Sequence, residues 1–463
     1  MSLLYFIAIP LLASFLTLFF KNYLRYISVA INALLLVLAY FIIEHLPITE
    51  NLSFDSPLAI SFVLTKGSAF FMTLFIGISF LFSLYNITQN SRRDIFILTN
   101  MLLIGVIGLV LSGDIFNIYI FFEISSITAY ILTSLNRNAK AYNGAIKYMI
   151  IGSIASIFLL IAIITIYLNI GTLNLITIGE RFGYMGANTQ FLVLLSLFIG
   201  FGIKTEIFPL NFWAVDIYQA TSSKINTLFS SILSKAYIFV FFHIAYLWNV
   251  DSKYLLFTAM IGVISFGIAE VSSLTSKDTK RVFAYSTLGQ LGVLFIGFSY
   301  NNITIMTGAI FLVFMHSITK LMLFLSLDIL EQRFGQSSIE IFKQFKSPFL
   351  VIIFIIGFLS LLGLPPFGGF IAKLTILSGL AGVGAYIMMG AILVISLVEA
   401  VYLFRLLSYT KDTQPKVKIS IPLLQKAILA SIAFAIIYFG IFPNALLDIS
   451  QQVASSIIGG VHV

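Results

Sequence analysis

Long apolar runs decide what this chain can fold into: windows of about 20 residues with almost no charge recur about fourteen times and fill nearly its whole length. A helix needs about that many residues to cross the hydrocarbon of a bilayer, and there every backbone N–H and C=O must be bonded within the spanning structure. The runs do not alternate apolar and polar with period two, so a membrane β-barrel is excluded. Hydrophobic residues make up 60% of the 463 positions and charged residues 10%, whereas a soluble domain carries about a quarter charged residues. The expected fold is an all-α polytopic membrane protein. Its spans fall near 3–20, 27–43, 68–84, 96–111, 114–135, 146–168 and 191–213, then 226–248, 254–274, 282–298, 303–330, 349–370, 374–407 and 421–442. The window at 374–407 is over-long and is expected to bend at Gly379, Gly382 or Gly384. The first run lacks a basic leader and is followed by further spans, so it reads as a span rather than a cleaved signal.

The net charge of +8 resolves into topology. Lys21, Arg25, Arg92, Arg93, Arg137, Lys140, Lys147, Lys224, Lys277, Lys280, Arg281 and the later basic residues through Lys416 and Lys418 fall in odd-numbered connections. Only Lys66, Arg181 and Lys253 fall in even ones. The positive-inside rule then makes the odd connections cytoplasmic and puts both termini on the outer side of a prokaryotic cell membrane. No nucleic-acid partner is needed to explain the basic excess. With no cysteine and four histidines, the chain offers no thiolates for an iron–sulfur cluster and no site for covalent haem. It is expected to hold no cofactor and no metal, and to leave any redox chemistry to partner subunits.

Charges inside the apolar runs are the functional candidates, because an ionised group at the bilayer centre costs about 2.5–3.5 kcal/mol on insertion scales. Glu123, Lys204, Lys235, His316 and Lys320 all lie in mid-span, and Lys373 follows a break at Pro365 and Pro366. Pro209, in FGIKTEIFPLNFW, breaks a second span beside Lys204. Proline removes a backbone donor and interrupts a helix, and paired broken helices point to the ion sites of repeat-built transporters. His316 and Lys320 are four residues apart and share a helix face. A carboxylate that approaches and leaves a buried lysine makes a switchable proton site, and histidine can both accept and donate a proton near neutral pH. The bland readings are that Lys373 snorkels to the interface and that His45 and His243 serve packing. Asp114, Asp216, Lys280 and Arg281 sit at loop edges where capping is at least as good a reading. Asp114, Glu206, Asp216, Glu399 and Arg405 stand as accessory candidates, and Glu270 as a further one.

These segments resemble a known family, the antiporter-like subunits shared by Mrp-type cation/proton antiporters, membrane-bound hydrogenases and respiratory complex I. SGDIFNIYIFFEISSITAY is similar to its helix 5 segment, placing the family's glutamate on Glu123. FGIKTEIFPLNFWAVDIY is similar to its broken helix 7, with Lys204, Pro209 and Trp213. SKAYIFVF resembles helix 8 with Lys235, FMHSITKLMLF helix 11 with His316 and Lys320, and GLPPFGGFIAK broken helix 12 with Lys373. The wording is nearest the Mrp D-type branch. Asn211 stands where many relatives have histidine, and YQATSSKINT replaces a proline-rich stretch.

The resemblance implies about fourteen helices in a single membrane domain. Residues 1–95 would hold helices 1–3, residues 96–248 and 249–410 two inverted five-helix repeats, and residues 411–463 helix 14. It implies a proton-translocating subunit of a multisubunit complex, with other membrane subunits as partners and protons, with Na⁺ in exchange, as cargo. The rivals are a subunit pumping for a complex I-like NADH:quinone oxidoreductase or hydrogenase, and a stand-alone secondary transporter.

Overall fold

The computed structural model describes residues 2–17, 19, 23–52, 60–89, 92–411 and 417–459, so Lys21 and Lys416 lie outside the described residues. The chain begins with α1 (Tyr5–Leu16) and α2 (Leu24–Ile43), then a hairpin of β1 (Ile48–Asn51) and β2 (Ser61–Leu64), antiparallel with Ile48 opposite Leu64. Next come α3 (Lys66–Asn86), α4 (Arg93–Leu111), α5 (Ile115–Ser134), α6 (Ala139–Ile170), α7 (Leu175–Phe182) and α8 (Ala187–Lys204). After a non-helical stretch holding Pro209, α9 (Ala214–Ala220) and α10 (Ser223–Leu228) run through a π-helical turn, Phe229–Leu233, into α11 (Ser234–Leu247). The remaining helices are α12 (Ser252–Thr275), α13 (Thr279–Ser299), α14 (Ile303–Phe334), α15 (Ile341–Gln344), α16 (Pro348–Leu362), α17 (Gly368–Gly382), α18 (Tyr386–Tyr409), α19 (Leu423–Ile441) and α20 (Asn444–Ile458). Two short strands, β3 (Phe345–Lys346) and β4 (Val417–Lys418), pair in parallel.

Among the described residues, 12 helical segments are long and apolar enough to cross a membrane, and α1, α16 and α17 are shorter. With α16 and α17 as the two halves of one broken span, the fourteen expected spans are present, and the fold is that of an α-helical polytopic membrane protein with two short strand pairs at its loops. The over-long window divides at the last of the three named glycines: α17 ends at Gly382, and Gly384 takes a left-handed φ of 74° before α18, a conformation that costs glycine nothing. Several short helices lie outside the spans read from the sequence, α7 and α20 the longest of them. Both α7, with Leu175, Ile178 and Phe182 buried, and α20, with Leu446, Val453 and Ile457 buried, are short and bury one stripe, so neither makes a long apolar run.

The helices form two compact units. The first takes the chain up to Thr205, then Ile232–Asp251 and the residues from Ser455; the second takes Glu206–Ser231 and Ser252–Ala454. The same local devices appear in both at one constant spacing. Asp114 caps α5 by accepting from Asn117 N, and Asp278 caps α13 by accepting from Arg281 N. Asn138 and Asn302 cap α6 and α14, each of 32 residues, and these end on left-handed Gly171 and Gly335. Isolated bridges join Asp114 to Asn174 and Asp278 to Ser338. In the first unit Gly105 and Gly108 lie against Ser125 and Phe121, drawing α4 onto α5. In the second, a Cβ on Gly262 would stand 2.7 Å from the Gly292 carbonyl, and one on Gly292 would stand 2.6 Å from the Gly262 carbonyl. Small residues let α12 and α13 approach this closely, as membrane helix interfaces commonly require.

Candidate functional site

In the first unit Lys204 is the last residue of α8, just before the chain leaves helical geometry, and it is 2% exposed. Its ammonium donates to the Tyr130 hydroxyl at 2.8 Å and faces the rings of Phe122, Tyr130 and Tyr148 at 5.3, 4.8 and 5.1 Å. Such ring faces attract a cation when water is excluded. Gly152 makes the space: a Cβ there would fall 1.8 Å from the Tyr130 hydroxyl and 2.8 Å from Lys204 Nζ. Glu123, on α5, is within electrostatic reach of Lys204, yet its buried Oε1 accepts no hydrogen bond among the described residues. Lys235 is fully buried at the start of α11, with Ser234 Oγ 3.4 Å from its Nζ. Two residues on, the Tyr237 hydroxyl meets Ser125 Oγ at 2.8 Å and Ser126 Oγ at 3.3 Å, fastening α11 to the helix that carries Glu123.

The second unit is built differently. Lys320, fully buried on α14, donates to the Phe283 carbonyl at 2.9 Å and to Ser286 Oγ at 3.0 Å, both on α13. One turn earlier, His316 lines a void of about 10 Å³ with Gln290, Thr319 and Ser360, about the space one water needs. Lys373 does not snorkel. It is 5% exposed and pairs with fully buried Glu399 at 2.9 Å, while Glu399 accepts a second bond from Gln290 Nε2 at 2.9 Å. Gly363, left-handed at φ 75°, sits where a Cβ would press on the Lys373 side chain at 2.8 Å, and Gly369 lies against the Ser360 carbonyl. The glycines around Pro365 and Pro366 thus let α16 and α17 close on the lysine.

Of the accessory candidates, Asp114 serves as a cap and also accepts from Ser61 N at 3.2 Å, fixing the hairpin. Glu206, in left-handed geometry at φ 58°, accepts from the Tyr218 hydroxyl at 3.3 Å. Asp216 pairs with Arg281 at 2.9 Å, beside an open polar cleft of about 650 Å³ lined by Gln219, Lys277, Asp278, Arg281 and Tyr285. Arg405 donates to the carbonyls of Leu274 and Ser276 at the end of α12. Each of these side chains is held by the contacts it makes.

A family model described as "NADH:quinone oxidoreductase/Mrp antiporter, TM" matches residues 112–398, a span that holds Glu123, Lys204, Lys235, His316, Lys320 and Lys373. The chain belongs to this family. This antiporter-like subunit is 27% identical over 468 residues to the antiporter subunit mnhD2 of Staphylococcus aureus (strain JH9), with 96% of this chain and 93% of that protein covered. A subunit of the membrane-bound sulfane sulfur reductase, an archaeal respiratory membrane complex, superposes with a TM-score of 0.93 at 28% identity, covering 98% of this chain and 97% of the other. The fold is shared with a chain of the Mrp complex from Dietzia sp. DQ12-45-1b (TM-score 0.90, 20% identity, 98% and 97% covered) and with one of respiratory complex I from Thermus thermophilus (0.86, 20%, 99% and 100% covered). The antiporter-like subunit is thus an integral membrane protein of a kind that works among other membrane subunits.

Sequence reasoning passed over several groups in these sites. Tyr130 and Gln290 carry no charge and gave no signal beyond a polar atom in an apolar run. Lys224 and Lys280, read as loop charges, are 8% and 5% exposed. Lys280 donates to the Thr221 carbonyl at 3.0 Å and pairs with Glu331 at 2.7 Å, because the segment after the Pro209 break covers it.

Proposed function

We propose that this subunit carries protons across the membrane, with Glu123, Lys204 and Lys235 serving the first unit and His316, Lys320 and Lys373 the second, each unit contributing a half-channel. The observation that carries this reading is how Lys204 and Lys320 are held. Both ammonium groups are withdrawn from solvent, and their hydrogen bonds go to neutral oxygens: a phenol, a hydroxyl and a carbonyl. A buried lysine whose charge is not locked in an ion pair can gain and lose its proton as a nearby carboxylate approaches or withdraws. Glu123 has the position to modulate Lys204 in this way. The matched helix caps and lengths support the reading of two repeats within one subunit. The loop charges support a prokaryotic cell membrane with both termini outside, and no nucleic acid is involved.

The likeness to the antiporter subunit mnhD2 supports antiport, which we read as exchange of Na⁺ for H⁺ within a Mrp-type complex. The archaeal respiratory complex, whose matching chain is similar at almost the same identity, favours a second reading in which redox reactions in partner subunits drive the protons. Inverted vesicles holding the assembled complex separate the two. Acidification or its collapse on adding Na⁺, with no electron donor present, establishes exchange; proton movement that starts only with an electron donor establishes the redox-driven pump. Vesicles that move protons under neither condition, with the complex assembled, would defeat the translocation reading.

A further inference from the structure

The two units differ in where a carboxylate stands. At the constant spacing that relates α5 to α13, Glu123 falls opposite Thr287, whose hydroxyl is taken up by Ser230 Oγ at 2.9 Å. The second unit therefore has no acid at that place on α13. Its lysine also comes from a different helix: the α6 counterparts of His316 and Lys320 are Gly152 and Ser156. Lys373 is already matched by Glu399, which leaves the charge of Lys320 to be answered by another group.

Glu270 on α12 is fully buried, and neither of its carboxylate oxygens has a hydrogen-bond partner among the described residues. It is brought inward by the Gly262–Gly292 contact, and its Oε1 lies over Gly289, where a Cβ would fall 1.9 Å away. Its electrostatic neighbours are Glu399, Lys373 and Lys320, with the fully buried Tyr402 facing it. A carboxylate held this deep, with only the Tyr402 hydroxyl beside it, is costly as an anion unless a cation answers it. A buried ammonium is costly in the same way.

We propose that Glu270 is the proton-exchanging counter-charge of Lys320, the part that Glu123 plays for Lys204, supplied here from a different helix. The step is a transfer of one proton between groups that are not in direct contact: an N–H bond of the Lys320 ammonium breaks, an O–H bond forms on Glu270, and two separated opposite charges become a neutral amine and a neutral acid. No net charge enters or leaves the unit, and the notch over Gly289 keeps the carboxylate in place in both states. This inference rests on the proton-translocation reading above.

The experiment measures proton movement per assembled complex in inverted vesicles for Glu270→Gln, Glu270→Asp and Gly289→Ala, beside Glu123→Gln. Glu270→Gln keeps the shape and is expected to lower transport at least tenfold with assembly retained. Glu270→Asp should recover a large part of it, and Gly289→Ala, which leaves every charge in place but fills the notch, should lower it again. Should Gly289→Ala fail to assemble, the contrast between Gln and Asp decides. Normal transport in Glu270→Gln while Glu123→Gln is impaired overturns the role of Glu270 alone. A loss of assembly with unchanged transport per complex also overturns it, in favour of a structural acid. Normal transport in both variants removes the relay itself.

Discussion

The helices α6 and α14 have the same length, the same asparagine cap and the same glycine terminus, yet they do opposite things. α14 brings its own titratable groups, His316 and Lys320, to the polar interior of its unit. At the matching positions α6 has Gly152 and Ser156, and Gly152 is an empty place into which Lys204 reaches from α8 to meet Tyr130. One scaffold thus carries two arrangements: a lysine within electrostatic reach of a carboxylate, and a cluster in which one lysine is locked to Glu399 while another is not. Caps and helix lengths set where a side chain can stand. They do not set which helix delivers the charge.

The largest effect expected from this contrast is at the locked pair. Lys373→Met strands Glu399 in the interior and should lower the yield of assembled complex, since removing one member of a buried pair costs about 3–5 kcal/mol. Adding Glu399→Gln should restore the yield without restoring transport. Quantifying the complex in detergent extracts checks this, and a single variant that assembles normally would mean that the pair contributes nothing to the fold.

Next in size, Lys204→Ala should cut transport about a hundredfold, or about 2.7 kcal/mol of barrier. Lys204→Arg should not rescue it, because arginine holds its proton at any accessible pH. An arginine variant that transports at the normal rate would show that only fixed charge matters there.

Glu123→Gln is expected to cost less, about tenfold in rate or about 1.4 kcal/mol, with assembly unchanged because Glu123 makes no direct ion pair with Lys204 among the described residues. A drop in assembled protein instead would place Glu123 with the structural acids such as Glu331. The smallest effect belongs to its counterpart on α13: Thr287→Val loses the contact with Ser230 and should lower stability by about 1 kcal/mol while transport stays within about twofold of normal. A transport loss as large as that of Glu123→Gln would show that the two positions share a role despite their different chemistry.

Much of this was legible in the residues. Apolar length alone marks the spans, because a bilayer demands about 20 residues whatever the rest of the fold does. Pro209, Pro365 and Pro366 mark the breaks, because a missing N–H cannot be hidden. Partner choice was not legible. A helix apolar on all sides has no polar face to show how it is turned, so neither Tyr130 beneath Lys204 nor Gln290 beside Glu399 could be read in advance. Lys224 and Lys280 misled for the opposite reason: they lie next to loops in sequence, and only tertiary packing withdraws them from water.

Because one added methyl group at position 152 would occupy the place of the Tyr130 hydroxyl, sequence drift there is tied to drift at positions 130 and 204. A relative that gains a side chain at 152 must lose the phenol or move its helix, and the simplest path through single substitutions changes position 130 first. Across the family, then, glycine at 152 and tyrosine at 130 should be inherited together. Lineages that have parted with one should have parted with the other, and those are the places to look for a different way of holding the proton.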